Sequence, residues 1–185
     1  MQCRSMTSVE ERGSGKTRSV TFRIPEELYE SLQKEALYSN VSFSALATRV
    51  FRRHVDWHSM AARAGWIYVT RTTFSSLLEG LSDSELQKLA QESVSSNIRD
   101  IILFMKSDKS IDAALHLLET WLRINELPYR LTVQGNRYTI TTQHNMGHQF
   151  SVYLTEFLKS ACMELGISDV TGETAKNSLL VSFTA

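Results

Sequence analysis

Two cysteines, two prolines and eight glycines in 185 residues leave little material for cross-links or unusual backbone. Cys3 sits in a polar tail and Cys162 in an apolar-periodic stretch, so a disulfide framework has no support and both are expected as reduced thiols. No run approaches the ~18 consecutive apolar residues of a membrane span, and residues 1–21 lack the apolar centre of a secretory signal. A cytoplasmic location is the expectation. Neither sign of charge is in excess, with 20 Lys+Arg against 20 Asp+Glu. That balance excludes a uniformly basic nucleic-acid coat and an acidic tail protein, but leaves room for a basic patch on one face. There is no phosphate-cradling glycine loop, no GxSxG, no HExxH and no CxxC, so no catalytic residue and no cofactor is assigned and the chain is not read as an enzyme. The 42% of apolar residues is enough for a folded core.

Patterning divides the chain in three. Residues 1–17, rich in Ser, Gly, Arg and Glu, are expected to form a flexible basic arm. Arg18 to Ile24 alternates, with Val20, Phe22 and Ile24 on one side and Ser19, Thr21 and Arg23 on the other, which predicts a half-buried strand. Pro25, Glu26 and Glu27 start a helix in which Leu28, Leu32 and Ala36 form a stripe that stops near Asn40. Ser42 or Ser44 caps a second helix, with Leu46, Val50 and Phe51 inward and Arg49, Arg52 and Arg53 wet. Periodicity fades after His58, which places a domain boundary there and an α+β domain over residues 59–185.

Within that second domain, Trp66 to Thr70 reads as a strand. Ser82 and Glu85 have capping-box spacing ahead of a helix that bends near Val94 to Asn97. Ser110 and Asp112 open another helix. Strands at Tyr129 to Val133 and Tyr138 to Thr142 flank Gly135, a helix runs from Phe150 to Gly166, and short strands lie at Ile167 to Thr171 and Leu179 to Phe183. The order suggests a βαββαβ, ferredoxin-like sandwich with extra helices.

A single strand and two helices, residues 18–58, hold too little apolar material to stand alone. Pairing the strand with its two-fold mate gives an antiparallel ribbon whose inward residues are buried on four helices and whose outward Ser19, Thr21 and Arg23 form a polar comb. Such a ribbon matches the DNA major groove, and these side chains are types that read base edges. Residues 1–25 carry a net +3 per chain. The start of the second helix, near Ser42 and Ser44, offers backbone N–H groups and hydroxyls to a phosphate, and Lys16 and Arg18 add positive charge beside it.

The stretch from Arg18 to Val55 resembles a ribbon-helix-helix domain of the Arc/MetJ/CopG type, on its alternation ending in Ile24-Pro25, its first helix and the turn Asn40-Val41-Ser42-Phe43-Ser44. The resemblance implies a prokaryotic, homodimeric transcriptional regulator, a repressor in the usual case. It places Ser19, Thr21 and Arg23 on bases and the Ser42 region on phosphate. The family more often has glycine where Asn40 stands and a polar or basic residue where Phe43 stands.

Residues 59–185 carry a net −2 and are expected to sense a small-molecule effector, oligomerise or contact a partner protein rather than DNA. His144 and His148, at i, i+4 spacing with Cys162 further along, raise a transition-metal reading. No carboxylate stands near them, and hydrogen-bonding histidines and a core cysteine account for the same residues, so no metal site is assigned. Trp66, Trp121, Tyr129, Tyr138, Phe150 and Tyr153 could line a ligand cavity or simply pack a core. Two other functions stay open: an antitoxin neutralising a partner protein, and a ligand-binding α+β protein that never meets DNA.

Overall fold

The computed structural model describes residues 17–95, 98–106 and 110–184. Nearly all of the expected arm, residues 1–16, lies outside them, Lys16 included. The class is α+β, and the chain divides into two units, Met1–His58 and Ser59–Ala185.

In the first unit, helix α1 (Glu26–Tyr38) begins where the Pro25 carbonyl accepts from the N–H groups of Leu28 and Tyr29, both at 3.1 Å. It closes through Asn40, whose φ of 52° is the left-handed turn that lets the Val41 N–H return 3.0 Å to the Ala36 carbonyl. Helix α2 (Phe43–Arg53) starts at Ser42, whose Oγ accepts from the Ala45 N–H at 3.1 Å, and runs into a π-helical turn at His54–His58.

The expected strand from Arg18 to Ile24 is absent from the single chain: residues 17–25 belong to no regular element. A strand is defined by its ladder, and among the described residues none offers a second strand to this segment. Val20 is therefore 76% and Phe22 53% exposed instead of buried, while Ile24 is half-buried. Val50 and Phe51, expected inward, are likewise exposed, and Arg53, expected wet, is half-buried. Among the described residues of this unit, the buried apolar ones are Ala36, Leu46 and Trp57.

The second unit opens with one helical turn, α3 (Ser59–Ala61), and a turn in which Gly65 takes φ 87°. Residues 66–70 form no strand, contrary to expectation, and Thr70 instead caps an unforeseen helix α4 (Arg71–Leu78) by accepting from the Thr73 N–H at 3.2 Å. The capping box is present at the start of α5 (Asp83–Ser95): the Ser82 N–H donates to Glu85 Oε2 at 2.8 Å. Those Ser82 hydrogen bonds hold the Glu85 carboxyl below its ordinary pKa. Helix α6 (Ile98–Lys106) comes next, the expected bend near Val94 to Asn97 lying partly outside the described residues, and α7 (Ile111–Ile124) follows, capped by Ser110.

Strands β1 (Tyr129–Gln134) and β2 (Arg137–Gln143) form the first hairpin, α8 (Gly147–Glu164) follows, and β3 (Val170–Ala175) with β4 (Ser178–Thr184) forms the second. The sheet is fully antiparallel in the order β1-β2-β4-β3. This is hairpin, helix, hairpin rather than the expected βαββαβ, because the strand at 66–70 that would have begun the pattern never pairs. One split βαβ unit survives: β2 and β3 run parallel with β4 between them.

The inward face of the sheet carries Leu131, Ile140, Leu179, Val181 and Phe183. Leu115 and Leu118 of α7, and Leu154 and Leu158 of α8, pack into the core they form. Gly172 of β3 lies close to α8, where a Cβ would meet the Thr155 methyl at 2.5 Å. No helix among the described residues is long and apolar enough to cross a membrane.

Candidate nucleic-acid interface

Segment 17–25 has no ladder and leads directly into α1. Arg18, Ser19, Thr21 and Arg23 are all exposed, and neither arginine makes an ion pair with a described residue. Phe22 of the same segment meets Phe51 of α2 edge-on, with ring centroids 5.9 Å apart. That contact holds the segment against α2 of its own chain while leaving both rings about half exposed. Val20, Phe22, Leu28, Val50, Phe51 and Val55 are all exposed, whereas among the described residues of the unit only Ala36, Leu46 and Trp57 are buried apolar residues.

The turn into α2 is built by two features. Asn40 reverses the chain, and Phe43 packs on Tyr29 of α1 with centroids 5.3 Å apart, which fixes the start of α2 relative to α1. Phe43, a departure from the family pattern at the level of sequence, therefore has a packing role. The aromatic pair Tyr29–Phe43 was the missed signal. Arg49 adds an exposed ion pair to Glu35 at 3.7 Å, worth little in water. Ser42 and Ser44 are exposed. The Ser42 oxygen already accepts from Ala45, so only its hydroxyl proton is left for a phosphate, whereas the N–H groups of the first turn point outward as in any helix start.

The structure thus brings Ser42 and Ser44 together at one helix start and keeps Ser19, Thr21 and Arg23 on one open segment. Lys16 lies outside the described residues.

In the second unit the histidines serve other ends. His144 is buried before α8 begins. The Met146 N–H donates to Nδ1 at 3.3 Å, so Nε2 carries the proton and donates to Ser151 Oγ at 2.9 Å. Its ring lies edge-on to Phe150, and burial, which disfavours the charged form, pushes its pKa down. An imidazole whose Nε2 already donates cannot take the Ser151 proton, and Ser151 is itself fully buried. Ser151 was missed in the sequence, where it sits unremarked between apolar helix positions. His148 lies 4.0 Å from Asp83. Cys162 packs beside Ile167 and Phe183, and burial raises its thiol pKa to about 11. Among the described residues no group of three or more His, Cys, Asp or Glu could hold a metal ion.

The aromatics are engaged in packing. Tyr138 stacks on Phe183 at 5.2 Å, and Phe74 meets both Phe150 and Tyr153. Tyr129 donates to Glu119 at 3.3 Å, its pKa raised first by burial and then by the Glu119 charge. The gap beneath it, lined by Leu115, Leu118, Leu122, Leu131 and Ile140, is too narrow to hold a water. No protein-family model and no curated protein sequence matches this chain.

Proposed function

We propose that the chain is a sequence-specific DNA-binding regulator that acts as a homodimer, in which segments 18–24 of two copies pair as an antiparallel ribbon and enter the major groove. The observation that supports this reading best is the mismatch within the first unit: the apolar Val20, Phe22, Val50 and Phe51 are exposed, and so are Ser19, Thr21 and Arg23, which alternate with the first two along the chain. Pairing would bury Val20, Phe22 and Phe51 of both copies and leave the comb outward. The start of α2, with Ser42 and Ser44, would meet a phosphate, and affinity would fall with salt. The second unit would serve an effector or a partner protein.

The test is a selection of random duplexes on the full chain, followed by sequencing of the retained pool. An enriched sequence is expected, and Arg23→Ala should lose about 1–3 kcal/mol of discrimination at one position if it pairs with guanine. Retention that ignores salt, or a pool with no enriched sequence, sinks the reading. A second small protein that co-purifies with the chain and abolishes its binding would favour the antitoxin instead.

A further inference from the structure

We propose that the outward face of the four-stranded sheet is a contact between two copies of this chain, packed face to face about a two-fold axis that runs along the strands. The register sets out its side chains in rows. Arg130, Thr141, Leu180 and Glu173 lie in one row across β1, β2, β4 and β3, and Thr132, Thr139, Ser182 and Thr171 lie in the next. Beyond them, Gln134 and Arg137 align with Thr184, whose hydroxyl donates to Asp169 Oδ2 at 3.1 Å.

The centre of this face is short and flat. Thr139 and Ser182 hydroxyls are 2.9 Å apart, and Leu180 is half-buried between Thr141 and Glu173. The flanks are charged with a definite sense: Arg130 and Arg137 on the β1–β2 side, Glu173 and Asp169 on the β3 side, all four exposed. None of the four makes an ion pair with a described residue of its own chain. Arg130 and Glu173 could not pair along their row, because β1 and β3 are three strand spacings apart, about 14 Å.

A two-fold axis along the strands lays β1 of one copy over β3 of the other and β2 over β4. Arg130 then opposes the second copy's glutamate at position 173, and Arg137 faces that copy's threonine at position 184, whose hydrogen-bonded aspartate at 169 lies one strand away over Gln134, each contact occurring twice. Two sheets that pack face to face keep their strands within about 30° and stand about 10 Å apart, a gap that threonine methyls and Leu180 can fill while longer arginines and glutamates bridge the flanks. The face is self-complementary, and its two carboxylates disfavour a polyanion such as DNA. The contact does not depend on the ribbon.

The experiment is sedimentation equilibrium of the full chain, in the wild type and in a Phe22→Asp background that removes the ribbon. Dimers are expected to persist in that background. Arg130→Glu or Glu173→Arg alone places like charges opposite each other twice and should weaken this association about tenfold or more. The double variant Arg130→Glu/Glu173→Arg should restore it, and so should mixing the two single variants, since every flank contact in the mixed dimer then opposes unlike charges. A strictly monomeric Phe22→Asp chain overturns the proposal, as do single variants that associate like the parent or a double variant as weak as the singles. So does an Arg130→Glu chain that loses duplex binding with its association unchanged. If Phe22→Asp leaves every mass unchanged, it is the ribbon that fails, and the charge reversals still decide this contact.

Discussion

At Gly172 the absence of a side chain decides how closely β3 and α8 approach. An alanine Cβ there would stand 2.5 Å from the Thr155 methyl and 3.2 Å from Lys159 Cδ, so Gly172→Ala should destabilise the chain by about 1–3 kcal/mol by overpacking. Adding Thr155→Ser, which removes the opposing methyl, should recover part of the loss, as read from urea midpoints. His144 gives a pH-dependent counterpart. Its folded pKa is lowered by burial from the ordinary 6.5, so the unfolded chain binds the proton more readily. The stability it contributes is complete above the ordinary value and is lost as pH falls through the lowered one. Midpoints measured from roughly pH 7.5 down to 5 should fall, and fall less in His144→Gln. Neither residue announced this role in the sequence. A glycine inside a strand is a known sign of close backbone approach, but His144 read as the first of an i, i+4 pair because nothing local shows that the helix starts three residues later.

Elements with their own start signals were legible. Ser82 with Glu85, Ser110 ahead of α7, Ser42 ahead of α2 and Asn40 after α1 all act where their chemistry predicts, because caps are local. Ser42→Ala removes the oxygen that accepts from Ala45 and should cost about 1 kcal/mol, seen as a lower thermal midpoint with α2 still helical by circular dichroism. Strands were legible only where a partner lay nearby in the chain. The hairpin around Gly135 formed as patterned. Residues 66–70, apolar enough for a strand, found no neighbour, and the same composition became an exposed lead-in to α4 with Ile67 and Val69 exposed. Alternation at 18–24 is just as clear, yet a single chain supplies no ladder, so periodicity reports a preference that only pairing can satisfy.

For the whole molecule, the two units differ in how much they complete internally. The second has a continuous core under its sheet. The first buries Ala36, Leu46 and Trp57 and exposes most of its other large apolar residues, so Phe22→Asp should lower the molecular mass in solution by one level of association and abolish salt-sensitive retention on duplex DNA together. Loss of one without the other would separate the ribbon from DNA binding. The candidate interface was legible as a pattern of residue types, whereas the outward sheet face was not, because its rows exist only after the register of four strands is fixed. The same dependence on distant chain governs the start of α8. Met146 offers it no side-chain cap, and the Gly147 N–H instead donates to Asn177 Oδ1 at 3.0 Å, while the Asn177 carbonyl accepts from the His144 N–H at 2.9 Å. A nascent chain leaving the ribosome therefore carries its longest helix with an open first turn until the tip of the last hairpin emerges. During synthesis, closure of the first turn of α8 waits for Asn177.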